Sequence, residues 1–308
     1  MRNVSLQSLS SMDRLYFFIA SSLATIISNY TVHTVPFPMY IILLLQYIFT
    51  MYTEIEHDAK YWIPMGILFA FANYCSMQAL KLDDSFTLAK TIQATVGSII
   101  MWLLNIKSIS KISFFILLIL TYFVVSTISI HWWTWLSIIT YAHYAVVIDP
   151  QYIRYNGFTS VAVFSYISLL EFQLHSSRNP MLVVDIQEAI LSINSKCIFM
   201  IAANGIANFI TSYFGSRCME TMHPVAWLML NSISKVPTYL FTQKDIQWHT
   251  IYVVTLSSIS FYICEYYEMK RKWILVIVLL CATCIHPILF KIILHDPNSI
   301  YNMSSVNN

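Results

Sequence analysis

Lys90 and Lys235 are the residues whose type and position could do chemistry, because each falls inside a run of apolar residues. An ammonium within a hydrophobic span costs at least ~2.5 kcal/mol on insertion scales, so it needs a partner or a purpose. Around Lys235 the segment NGIANFITSYFGSRCMETMHPVAWLMLNSISKVP, residues 204–237, places polar side chains at helical spacing. Asn204, Asn208, Thr211/Ser212 and Gly215 share one helix face, and Trp227, Asn231, Lys235 and Thr238 share a face of the next. All 15 carboxylates can sit in loops or near span ends, with Glu171, Glu220 and Glu265 closest to the membrane, so neither lysine has an acid at its own depth. An unpaired cation in a protein-lined cavity suits an anionic ligand. The ordinary alternative is snorkelling to the interface or bonding to backbone carbonyls.

The elements that must hold these lysines are membrane helices. The 308 residues are 57% hydrophobic and only 10% charged, against about 25% charged in a soluble domain, and the mean hydropathy is +0.63. Spans of roughly 20 apolar residues are expected at 15–34, 38–53, 61–80, 84–104, 112–130, 132–149, 158–175, 197–215, 222–242 and 247–266, with an eleventh hydrophobic segment at 273–294. The expected class is an all-α membrane protein of ten helices. Residues 1–14 are expected to form a cytosolic N-terminal segment, 15–130 a first five-helix repeat, 132–268 a second, and 295–308 a disordered tail. The first span is long and followed by others, so it reads as retained rather than cleaved. The long connection 176–196 carries VVDIQEAI, which reads as an interfacial helix. The six cysteines lie mostly in apolar spans without a CxxC pair and read as small apolar fillers. A net charge of +2 gives no ground for a nucleic-acid partner.

Positive residues set the orientation. With the N-terminus in the cytosol, that side holds Arg2, Arg14, Lys60, Lys107, Lys111, Arg154, Arg217, Lys270, Arg271 and Lys272, and the other side Lys81, Arg178, Lys196, Lys244 and Lys291. Lys90 then lies about 9 Å inward from the far-side end of its span, and Lys235 about 10 Å from the far-side end of its own. Each is in the fourth span of a five-span half. Matching functional positions in two halves are what an inverted-repeat transporter presents.

At these residues the chain resembles the nucleotide-sugar transporter and triose-phosphate translocator branch of the drug/metabolite transporter superfamily. In the second half, Asn204-Gly205 is followed by Pro224, seven further on by Asn231, and then by Ser234-Lys235; Glu220 falls where translocator-like members have glutamate. In the first half, Asn29 and Pro36-Phe37-Pro38 resemble that family's N…FPxP turn, and Ser85-Phe86-Thr87 with Lys90 and Gln93 resembles its SFT…K element with a shift of one or two residues. Ser234 stands where phosphate translocators have the first of two adjacent cations, and Gln93 where some relatives have a second lysine, which leaves the substrate open. The resemblance covers most of residues 15–272, its strong part about 35 residues.

The resemblance implies an antiporter of a nucleotide-sugar, nucleotide or sugar phosphate, exchanged for a nucleoside monophosphate or phosphate by alternating access between the two halves. Lys235 and Lys90 would neutralise phosphate; Asn231, Asn204 and Asn208 would hydrogen-bond phosphate, ribose or sugar; Trp227 or Tyr213 would stack on the base. Asn73, Tyr74, Ser76 and Gln78 give the third span a polar side, for helix contacts or for ligand. No cofactor or metal is implied; the partners are the anionic solute, membrane lipid and at most a second copy of the chain. The membrane expected is that of the Golgi or endoplasmic reticulum, with a plastid-type organelle second. Two competing classes are a multi-pass enzyme of lipid-linked sugar or acyl transfer and a non-transporting receptor or scaffold. The enzyme would need a loop constellation of acids or histidines, and the one long loop offers only Asp185 and Glu188. Asp83-Asp84 has no third ligand nearby and reads as a helix start; His143, Tyr144 and His223 read as packing or interfacial residues, and Trp132, Trp133 and Trp135 as an aromatic belt.

Overall fold

In the computed structural model the described residues are 2–51, 59–106, 109–178, 194–242, 248–266 and 274–280. All regular structure among them is helical. The helices are α1 (Arg2–Thr34), α2 (Met39–Ile48), α3 (Ala59–Leu82), α4 (Phe86–Ala89) continued through a 3-10 turn (Lys90–Ile92) into α5 (Gln93–Leu103), and α6 (Lys111–Thr127). Then follow α7 (Trp132–Val147), a 3-10 turn (Pro150–Tyr155), α8 (Asn156–Arg178), α9 (Ser195–Thr221), α10 (Pro224–Ile233), α11 (Val236–Thr242) and α12 (Trp248–Tyr266). The expected interfacial helix near 183–190, the end of the eleventh segment from 281 and the tail 295–308 lie outside the described residues.

Among the described residues, four helical stretches are long and apolar enough to cross a membrane: Ser11–Thr34, Trp62–Leu82, Phe86–Leu103 and Ser195–Thr221. The molecule is a helical membrane protein. Three boundaries differ from expectation. Helix α1 begins at Arg2, ahead of the span expected from residue 15. Helix α2 is ten residues long, about 15 Å, because the chain turns at Phe49–Thr50, short of the expected end at 53. The stretch 222–242 is two helices, α10 and α11, and not one: Pro237 has no N–H for the Ile233 carbonyl and its ring crowds that carbonyl.

Local sequence explains the starts. Asn194 caps α9 by accepting from the Cys197 amide at 2.9 Å, Ser110 caps α6 from the Ser113 amide at 3.2 Å, and Pro224 supplies the first residue of α10. His223 and His131 each accept from a backbone amide, Val225 and Trp133, both at 3.3 Å, so they are helix caps.

Packing joins early helices to late ones. Helices α1 and α9 run antiparallel: Asp13 pairs with Arg217 at 3.4 Å, the Tyr16 and Phe214 rings lie 5.2 Å apart, and further along Ser28 donates to Asn204 at 2.8 Å. Helices α3 and α7 do likewise through Ser76 with Ser137 at 2.6 Å and Phe69 with Tyr144. Helix α2 meets both α8 and α9, α3 also meets α8, α5 crosses α10, and α6 packs on α12. Where these contacts are tightest there is glycine. A Cβ on Gly66 would lie 2.3 Å from the Thr159 side chain on α8, and one on Gly205 2.3 Å from the Phe49 ring after α2. Such approach replaces the hydrophobic drive that lipid removes between membrane helices.

Candidate functional site

A cavity of about 150 Å³ lies among α1, α2, α3, α4, α7, α8, α9, α10, the 3-10 turns at Lys90 and before α8, and the turn before α11. One water needs roughly 10–15 Å³ on this measure, so the space holds several waters or a small solute group. Its wall has three chemistries. The ammoniums of Lys90 and Lys235 lie on it; Gln46, Asn73, Asn208, Asn231, Asn156 and several hydroxyls supply neutral polarity; Phe17, Tyr47, Phe69, Phe86, Tyr141, Tyr144 and Trp227 supply ring surface.

Each lysine stands where its helix departs from α geometry. Lys90 opens the 3-10 turn between α4 and α5. It is 4% exposed, and its Nζ donates to Ser76 Oγ at 3.3 Å and rests 4.8 Å from the Tyr141 ring centroid and 5.3 Å from that of Phe86. Lys235 lies in the turn between α10 and α11 and is partly exposed. Its Nζ donates to Ser21 Oγ at 2.8 Å and Thr25 Oγ1 at 2.7 Å, both on α1. Among the described residues neither lysine forms an ion pair with a carboxylate; the pair there is Arg217 with Asp13. Hydroxyls and ring faces solvate these charges without neutralising them.

The breaks are satisfied from outside their own helices, as backbone inside a membrane must be. Ser232 Oγ donates to the Lys90 carbonyl at 2.9 Å, and Ser22 Oγ donates to the Ser234 carbonyl at 2.8 Å. Ser234 Oγ in turn reaches Ser21 Oγ at 2.8 Å.

The structure brings together Lys90, Lys235, Asn231, Asn208, Asn73 and Trp227 on one wall. Asn73 Nδ2 donates to its own helix at Phe69 O, 2.8 Å. Asn231 is 6% exposed and accepts weakly from Ser21 at 3.5 Å. Trp227 is packed between Tyr141, stacked at 5.8 Å and 11°, and Phe17 at 6.1 Å. Three expected residues are placed elsewhere. Asn204 sits behind the wall: its Nδ2 donates to Gln46 Oε1 at 3.1 Å, and its Oδ1 accepts from Ser28 at 2.8 Å and Asn208 at 2.9 Å. It therefore orients Gln46 and Asn208. Tyr213 is 42% exposed, lies off the inward face of α9, and packs against Phe214 and Arg217. Gln93 is fully buried at the start of α5, away from the cavity, and neither of its side-chain polar atoms has a partner among the described residues.

Sequence reading missed Gln46, Ser21, Thr25, Tyr141 and Asn156, whose Nδ2 donates to the Tyr144 hydroxyl. Ser21 and Thr25 carried a signal, since i and i+4 hydroxyls on an apolar helix share a face. Gln46 also had one, being a lone amide in an apolar helix. Asp83, read as a helix start, does more: it accepts from Ser85 N at 2.9 Å, from His131 N at 3.1 Å and from the Thr134 hydroxyl, tying the α3–α4 turn to the start of α7. No metal cluster of histidine, cysteine or acid occurs among the described residues.

Fold and wall together give a helical membrane protein whose polar cavity is lined by two lysines. No protein-family model matches the chain, and no curated protein matches it.

Proposed function

We propose that this protein is a secondary carrier of an anionic, phosphorylated solute of the nucleotide-sugar, nucleotide or sugar-phosphate kind, and not an enzyme. The observation that carries the reading is the pair of lysines, Lys90 buried and Lys235 partly exposed, without a carboxylate partner among the described residues, on one polar cavity. Phosphate oxygens would supply the negative charge that the wall lacks, and Asn231, Asn208, Gln46 and Asn73 are placed to hydrogen-bond the rest of the solute.

A ten-helix arrangement of two inverted five-helix halves, α1–α6 and α7–α12 with α4/α5 and α10/α11 each counted once, is supported by packing that repeats on exchange of the halves. The pairing of α1 with α9 has its counterpart in α7 with α3, and α2 with α9 in α8 with α3. The close contacts at Gly205 and Gly66 exchange in the same way, and so do the helix breaks at Lys235 and Lys90. Discontinuous helices at corresponding places of two halves mark the binding region in many secondary carriers. An alternating-access exchanger in a Golgi or endoplasmic reticulum membrane, taking nucleoside monophosphate or phosphate in return, fits this arrangement.

The test is uptake into proteoliposomes of a panel of nucleotide-sugars, nucleotides and sugar phosphates, with and without internal counter-solute. Uptake of at least one phosphorylated solute, stimulated by internal load and weakened by Lys235→Gln, is expected. Uptake of neutral solutes alone, or a phosphorylated solute carried with unchanged affinity by both Lys90→Gln and Lys235→Gln, would overturn the proposal.

A further inference from the structure

We infer that Ser232 is a positioning residue that ties the two lysine breaks into a single two-pronged anion site; the inference rests on the carrier reading above. Ser232 is 1% exposed and lies behind the cavity wall. Its Oγ shares one proton between the Lys90 carbonyl at 2.9 Å and its own helix at Leu228 O, 2.7 Å. The Lys90 carbonyl already receives the Gln93 amide within the 3-10 turn, so its second lone pair serves the outside donor. Ser232 stands one residue after Asn231 and three before Lys235. One hydroxyl thus connects the backbone at the root of one ammonium to the helical turn that carries the other.

The second break has its own anchor. Helix α1 holds it through Ser22 on the Ser234 carbonyl and through Ser21 and Thr25 on Lys235 Nζ. Without Ser232 the two breaks are each locally intact, since Lys90 O keeps the Gln93 amide, but their separation is no longer fixed by a bond. A ligand with two adjacent charged centres, such as a diphosphate, benefits most from ammoniums at a fixed separation. A single phosphate touches one prong at a time and gains less. Ser232 accordingly sets the preference for diphosphate over monophosphate without touching either.

The test is a double-mutant cycle in purified protein reconstituted in lipid nanodiscs, with inorganic pyrophosphate and inorganic phosphate as probes and dissociation constants from calorimetry. Lys90→Gln, Lys235→Gln and their combination are measured with Ser232 present and in Ser232→Ala. With the serine, the two lysines couple roughly tenfold for pyrophosphate; with alanine, coupling falls below about twofold, and the preference for pyrophosphate over phosphate falls with it. Ser232→Thr retains the hydroxyl and restores coupling, and Ser232→Cys, a weak donor of similar shape, gives an intermediate value. Coupling unchanged in Ser232→Ala overturns the role of Ser232 and leaves the carrier reading standing. Pyrophosphate affinity indifferent to both lysines overturns the anion site and this inference together. A Ser232→Ala protein that melts before any ligand is added makes the serine a packing residue and overturns the inference as well.

Discussion

Around Lys90 the ammonium meets two ring faces and one hydroxyl, at 4.8, 5.3 and 3.3 Å, and is almost wholly buried. Around Lys235 it meets two hydroxyls at 2.7 and 2.8 Å and keeps some exposure. The backbones differ too. Pro237 removes an amide and compels the break beside Lys235, whereas no proline or glycine lies in the 3-10 turn at Lys90, which is held by Ser232 from α10. The same charge at matching places is thus solvated by directed hydrogen bonds in one half and by polarisable ring faces in the other. Directed acceptors hold an ammonium in one geometry, and ring faces tolerate several.

Removing each charge tests this difference most severely. A charge-assisted contact to phosphate contributes roughly 1.5–3 kcal/mol, so Lys235→Gln should weaken apparent affinity for a phosphorylated solute about ten- to a hundredfold. Lys90→Gln should do the same or somewhat less. Both variants should insert and fold, since each removes an insertion cost. Lys235→Arg should retain part of the activity, because the charge stays while a planar fork replaces a compact ammonium. Dissociation constants for each variant, with a neutral nucleoside as control, decide the matter; equal loss for the neutral probe would assign the lysines to structure.

The backbone difference is tested by Pro237→Ala. A proline in a helix interior costs about 3 kcal/mol. The alanine variant should therefore melt at a higher temperature while uptake falls, as α10 and α11 join and Lys235 is carried off Ser21 and Thr25. No single substitution at Lys90–Ile92 should reproduce that combination. A Pro237→Ala protein with unchanged melting and uptake would mean that the turn is set by α1 alone.

Smaller effects belong to the glycines. In Gly66→Ala the new methyl meets Thr159 Cβ at 2.5 Å, an atom fixed to the backbone, whereas in Gly205→Ala it meets the Phe49 ring, which can turn. Overpacking costs typically 1–3 kcal/mol; Gly66→Ala should stand at the upper end and Gly205→Ala at the lower, read as melting temperatures in detergent. The reverse order would show that α2 is held more rigidly than α8. Smallest of all is Tyr141→Phe, which keeps the ring face under Lys90 and should leave anion affinity within about twofold, while Tyr141→Leu should lower it several-fold, since an exposed cation–π contact is worth about 0.5–1 kcal/mol and a desolvated one more.

Composition determined that this is a membrane protein, and the runs of roughly 20 apolar residues that it is built from determined that it is helical, since a barrel strand needs only about 9–11. Helical periodicity determined that Asn208, Asn231 and Lys235 would face one interior, and the lack of acids at their depth was readable from the row of residues. Tertiary structure decided the rest. Ser21, Thr25 and Tyr141 are 214, 210 and 51 residues from the lysines they solvate (235−21, 235−25 and 141−90), and no local pattern reports a partner at such separation. Tyr213 and Gln93 have cavity-like chemistry but the wrong azimuth on their helices, which only the packing of neighbours reveals. The break at Lys90 is the clearest case. Its own residues form α-helix well enough, and the turn is stabilised by a hydroxyl from α10 that reaches it only once the chain has folded.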